Sequence, residues 1–143
     1  VTSNTDANTL DDYEEGTFTA ALSTSNAALS MGSTSCTYTK IGSVVSISGY
    51  ISVVGLNGET SLDLSCAGLP FNVPNNARNY ATLNVGYGSN LSIAAGQTVT
   101  GFFKINTDSY GLSTWVINGT AGFTASEMTG GGSIMVAGTY IVH

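Results

Sequence analysis

Asn106, Asp108, Tyr110 and Trp115 fall within one ten-residue stretch. Together they could hold a sugar. An aromatic ring stacks on the C–H face of a pyranose, while a planar amide and a carboxylate hold its hydroxyls. These four are the candidate carbohydrate-binding residues. Their loop, Asn106 to Gly111, is polar and ends in Gly, and loops joining strands vary without disturbing a core. Tyr80, Tyr87, Asn84 and Asn90 offer a second, weaker set. The competing reading for each aromatic is a core or subunit-interface position whose polar tip finds a partner.

Other chemistries find less to work with. The one histidine is His143, the last residue of this sequence, a poor place for a nucleophile–His device. Cys36 and Cys66 give no closely spaced ligand pair for zinc. They are expected to be buried, reduced thiols. Of the acids Glu59, Asp63, Asp108 and Glu127, Glu127 is claimed by a helix cap. Asp63 alternates outward from Leu62 and Leu64, and nothing in the sequence brings Glu59 and Asp108 to a glycosidase separation. The run Asp11-Asp-Tyr-Glu-Glu15 lacks the D-x-D-x-D-G spacing of a calcium loop. The expectation is therefore a protein that is not an enzyme, with no catalytic residue, no metal ligand and no cofactor.

The 143 residues suit one domain, and only 8% are charged. That composition excludes a disordered chain. The net charge is −6, with three basic residues, Lys40, Arg78 and Lys104. Such a chain cannot neutralise many phosphates, so nucleic acid is not an expected partner. No apolar run reaches membrane-helix length, so no membrane insertion is expected. The polar first residues do not read as a signal peptide, and the initial Val reads as a fragment or a processed end. Five of the nine acids, Asp6, Asp11, Asp12, Glu14 and Glu15, precede Gly16. Residues 1–16 are thus read as an acidic junction, and residues 17–143 as a nearly neutral β domain.

Ala7 to Gly16 reads as a short helical turn, capped by Asn8 or Thr9 and stopped by Gly16. Beyond it, apolar residues alternate with period two. Val45, Ile47, Ile51 and Val53 share a face, as do Leu83, Val85 and Tyr87, and Ile134, Val136, Tyr140 and Val142. Leu112, Thr114 and Val116 lie opposite Trp115 and Ile117. Asn118-Gly119 signals a hairpin. Thr124 with Glu127 forms a capping box, so one helical turn is expected there. The pattern predicts an all-β, antiparallel, jelly-roll-like β-sandwich with one or two helical turns. Several strands are apolar on both faces: Val44, Tyr50 and Val54 oppose Val45 and Ile47, and Met135, Ala137 and Ile141 oppose Ile134. A sheet with one solvated face does not need this, so the second face is expected to meet another subunit.

Three segments together resemble a recurrent C-terminal domain of bacteriophage tail fibres, tailspikes and related virion proteins. They are Asn8-Thr-Leu-Asp-Asp-Tyr-Glu-Glu-Gly-Thr-Phe-Thr19; Tyr38 to Ile51 with Gly68-Leu-Pro-Phe71; and Phe123 to Thr129 with Ser133 to Ile141. The stretch from Asn72 to Asn118 matches little of that pattern. The resemblance implies a homotrimer at the distal end of a virion fibre, behind an upstream fibre or tailspike module, assembled in the host cytoplasm. It implies attachment to a host cell-surface polysaccharide or glycan, trimer assembly, or both. A trimerisation and folding clamp without a ligand, and a capsid decoration protein, stay open as alternatives.

Overall fold

The computed structural model describes residues 12–143. Eleven strands form one antiparallel sheet that curls until its two halves face each other. The first layer is β1 (Tyr13–Thr19), β4 (Ser35–Ile41), β5 (Val44–Gly55), β11 (Ser133–Ile141) and β7 (Thr82–Ser89), in that spatial order. The sheet continues through β8 (Val99–Phe103), β9 (Ser109–Val116), β6 (Ser65–Ala67) and β2 (Ala21–Ser23), which form the second layer. Short β3 (Ser30–Met31) pairs with β5, and β10 (Gly119–Gly122) pairs with β9. The protein is therefore the expected all-β antiparallel sandwich, closed almost into a barrel. No helix among the described residues is long and apolar enough to cross a membrane.

Period-two alternation explains the core. Val45, Ile47, Ile51 and Val53 of β5 point inward, as do Ile134, Val136 and Tyr140 of β11. Phe103, Tyr110, Leu112 and Cys66 meet them from the second layer. The Phe103 ring lies 4.7 Å from that of Tyr140 and 6.3 Å from that of Tyr110. It has room because β11 carries Gly138 beneath it: a Cβ there would come within 2.9 Å of the ring.

The capping box forms as expected. Thr124 and Glu127 exchange both bonds at the start of α1 (Ala125–Met128). Three local expectations need correction. The helical turn expected over 7–16 is not helical where it is described: Tyr13 to Gly16 belong to β1, and residues 7–11 lie outside the described residues. An isolated turn of that length is marginal, whereas β4 offers every residue of β1 a cross-strand partner. Gly16 is not a helix stop; the Tyr38 ring crosses it where a side chain would stand. In the β9–β10 hairpin, Val116 pairs with Gly119, so the two turn residues are Ile117 and Asn118, one position early. In β7 the register against β11 shifts, with Val85 opposite Val136 but Tyr87 opposite Met135. This bulge turns Tyr87 away from the core face on which period two placed it.

Candidate functional site

The four candidate sugar-binding residues do not converge. Asn106 sits in the turn before β9 at φ 63° and Asp108 beside it, both exposed. Their turn is held by its own backbone: Asn106 N–H donates to Val73 O, and Leu69 N–H donates to Asp108 O. Tyr110 is completely buried. It shares the inward face of β9 with Leu112 and Thr114, while Gly111 and Ser113 on the opposite face are buried as well. No sugar can reach its ring. Trp115 is 56% exposed, on the other side of β9 and near its other end. Six strand steps separate Ser109 from Trp115, about 20 Å at the usual rise. The loop amide and carboxylate therefore cannot share a ligand with the indole. What misled the sequence reading is that proximity along a strand is not proximity on one face.

Around Tyr110 the structure gathers groups with no access to solvent. Cys36 and Cys66 are both free and buried. Burial pushes the Cys66 thiol up to about 12, against a smaller opposing pull from the neighbouring Tyr110 hydroxyl. Burial likewise holds Tyr110 well above its ordinary value, with Cys66 adding to the effect. The Tyr110 hydroxyl has no hydrogen-bond partner of good geometry. Thiols and a phenol held in their neutral forms, away from water, are packing groups.

The second set fares differently. Asn84 and Tyr87 line one hollow of about 520 Å³ on the outside of the first layer. Tyr50 and Met135 complete it, and sequence reasoning had placed neither in a site. Tyr50, Met135 and Tyr87 form a row across β5, β11 and β7, directly opposite one another. They are 41%, 48% and 48% exposed. Tyr80 is not in this hollow; it borders another with Phe102 and Thr139. Asn90 lies in the following loop, where its backbone carbonyl accepts from Thr129.

At the other end of the same face, Tyr13, Ile41, Val44 and Ile141 form a second apolar row across β1, β4, β5 and β11. Between the rows lie Thr37, Ser46, Ser48, Ala137 and Thr139, some joined by hydroxyl contacts such as Ser46 with Thr139. This face carries no basic residue. Lys40 falls on the opposite parity, where it pairs with Asp12. Its one carboxylate among the described residues is Glu15, which accepts from the Tyr13 hydroxyl at 2.6 Å. The neighbouring Glu14 accepts from Tyr38 at 2.6 Å on the inner side. In both pairs the hydrogen bond to the carboxylate is the main cause that raises the tyrosine pKa. The signal for this face was in the sequence, as strands apolar on both sides.

No protein-family model matches the chain, and no curated protein matches it. Among solved structures, the fold is similar to part of the Dettilon tailspike protein, with a TM-score of 0.75 at 15% identity. The match covers 90% of this chain and 24% of that one. The chain therefore corresponds to about a quarter of the tailspike's length. The likeness is one of fold, and it extends over nearly the whole of this chain.

Proposed function

We propose that the chain is a non-enzymatic β domain of a bacteriophage tailspike or tail fibre, and that copies of it pack together through the outer face of the first layer. The observation that carries this reading is the row Tyr50–Met135–Tyr87 on a face without a cation. Copies of a chain with net charge −6 repel one another. They can meet at contact distance only where few charges must be desolvated. Flat rings, a thioether and short hydroxyls suit such a contact, since aromatic residues and Met are enriched in interface cores. The number three comes from the sequence resemblance, and the virion location from that resemblance together with the fold of the tailspike.

Light scattering coupled to gel filtration tests the proposal. Three times the 14.6 kDa chain mass is the expected result. A monomer overturns the assembly reading, while a dimer keeps the face and removes the trimer. Immunogold labelling of virions checks the location, with label on the capsid shell as the outcome that removes the tail assignment.

A further inference from the structure

Two Asn-Gly pairs occur in the sequence, Asn57-Gly58 and Asn118-Gly119. Such a pair can react with itself. The glycine nitrogen attacks the side-chain carbonyl carbon of the asparagine, and no Cβ on the glycine crowds the approach. In both pairs the fold requires glycine: φ is 85° at Gly58 and 140° at Gly119, where an L side chain is strained. Both asparagines are exposed. Their surroundings differ.

Asn57 is pinned. It stands in the turn after β5 at φ 53°, and Glu59 N–H closes that turn by donating to Leu56 O at 3.0 Å. Its Oδ1 accepts from Ser30 Oγ at 2.9 Å, and its Nδ2 donates to Ala28 O at 2.8 Å. Both ends of the amide are thus tied to the segment around β3, and ring closure has to break both bonds. Asn118 has no such ties: its side chain makes no hydrogen bond among the described residues. It is the second turn residue of the β9–β10 hairpin, beside Ile117, which is 98% exposed. β10 pairs with β9 alone, so no third strand steadies the turn. The Gly119 N–H belongs to the rung opposite Val116, the last before the turn. Opening one rung at an unpacked tip costs little, as fraying does elsewhere.

We infer that Asn118 is a site of spontaneous deamidation, and that the fold shields Asn57 from the same reaction. The step needs no oxidant and no co-reactant except water. The Gly119 nitrogen gives its proton to hydroxide and forms a bond to Cγ of Asn118. The Cγ–Nδ2 bond breaks, and Nδ2 takes a proton from water and leaves as ammonia. The product is a cyclic succinimide, which water opens. Cleavage at Cγ leaves an aspartyl residue at position 118. Cleavage at the backbone carbonyl leaves an isoaspartyl residue, whose main chain runs through Cβ and Cγ. Either product puts a carboxylate on a stretch, Ser109 to Ser126, that carries no charged side chain. The isoaspartyl form also lengthens the main chain of a tight turn, so the rung between Val116 and Gly119 cannot keep its geometry. The inference does not rest on the assembly face, because the hairpin belongs to the other layer.

The test is storage of the intact chain in mildly alkaline buffer, beside the same chain unfolded in urea. Peptide mapping by mass spectrometry then reads each asparagine, and enzymatic methyl labelling reads isoaspartate. In urea the two pairs are expected to react at similar rates. In the folded chain the Asn118 fragment should gain the mass of one deamidation and the isoaspartate label, while Asn57 stays intact over the same period. Asn118→Gln, whose longer side chain closes the ring far more slowly, should remove that signal. Ser30→Ala, which unties Oδ1 of Asn57, should speed reaction at Asn57 about fivefold, the factor that one ordinary hydrogen bond is worth. The inference is overturned if folded Asn118 reacts no faster than folded Asn57, or if another asparagine of the folded chain reacts first. A Ser30→Ala chain in which Asn57 reacts at the parent's rate overturns the shielding.

Discussion

The two outer faces of this sandwich belong to one continuous sheet, yet they differ in chemistry. The first, over β1, β4, β5, β11 and β7, has rings and methyls in two rows, hydroxyls between them, and Glu15 as its one charge among the described residues. The second, over β8, β9 and β10, has a glycine floor with Asp63 and Lys104 lying on it, unpaired with each other. A face of the first kind can be desolvated against its own copy at little electrostatic cost. A face of the second kind would bury two separated charges if a copy closed over it, which costs several kcal/mol per ion. Strand alternation fixes which residues point outward; their chemistry then decides how costly it is to cover the face.

The largest effect expected is loss of assembly. Met135→Glu places a carboxylate in the middle of the Tyr50–Met135–Tyr87 row, and in an assembly these charges would be buried together. The scattering mass should fall to the 14.6 kDa of one chain, with the circular dichroism spectrum unchanged. A folded Met135→Glu variant that keeps the parent's mass would erase the contrast between the faces.

Next in size is a test of the β9 register on which the second face depends. Tyr110→Ala removes a fully buried ring packed on Phe103 and should cost about 3–5 kcal/mol by urea unfolding. A register slip of one residue would send Tyr110 outward and Trp115 inward. A loss near zero would therefore break the second face along with the core.

Alkali probes the same interior. Cys66 is raised from 9.0 to about 12 and Tyr140 from 10.0 to about 12, both chiefly by burial. The unfolded chain ionises first, so it binds fewer protons than the native state in this window. Stability from these groups is whole below pH 9 and falls as pH rises toward 12. Urea midpoints measured from neutral pH upward should decline from about pH 9, and Cys66→Ala should make that decline shallower, with Cys36, also raised by burial, still contributing. A flat profile to pH 11 or so would mean that water reaches the thiol and the phenols.

Much of the architecture was legible in the sequence, because burial on one side of a strand writes itself as period two. The inward residues of β5 and β11 could be read directly, and so could the cap at Thr124 and Glu127. The two-sided strands announced the first outer face. What could not be read had one of three causes. Tyr13 to Gly16 took strand form because β4 offered a partner, which local propensity does not record. Tyr87 turned outward at a bulge, and a bulge breaks the period that would reveal it. The second outer face draws Asp63, Phe102, Gly111 and Gly122 from four separate stretches, and its floor is made by residues with no side chain. The loop and indole chosen as a sugar site looked close only because they are close in the chain.

Trp115→Ala should have a smaller effect than Tyr110→Ala, about 1–2 kcal/mol, since the indole is 56% exposed and gives up only part of its contact. This comparison sharpens the second face. A loss by urea unfolding as large as that of Tyr110→Ala would show that the indole is covered in solution rather than half exposed.

The smallest effect has the opposite sign. Tyr110→Phe keeps the ring on Phe103 and removes a buried hydroxyl that has no hydrogen-bond partner of good geometry. An orphaned polar group costs about 1–3 kcal/mol to bury, and the Cys66 thiol beside it recovers a part of that. The variant should therefore be more stable than the parent by about 1 kcal/mol, read as a higher urea midpoint at unchanged slope. Tyr110→Phe should also leave the scattering mass as it is, since the hydroxyl faces neither outer surface. A destabilised Tyr110→Phe would show that the thiol–phenol contact is a working hydrogen bond. A change in the scattering mass would show that the interior behind β9 shapes the outer faces, and the two sides of the sheet could no longer be treated as independent.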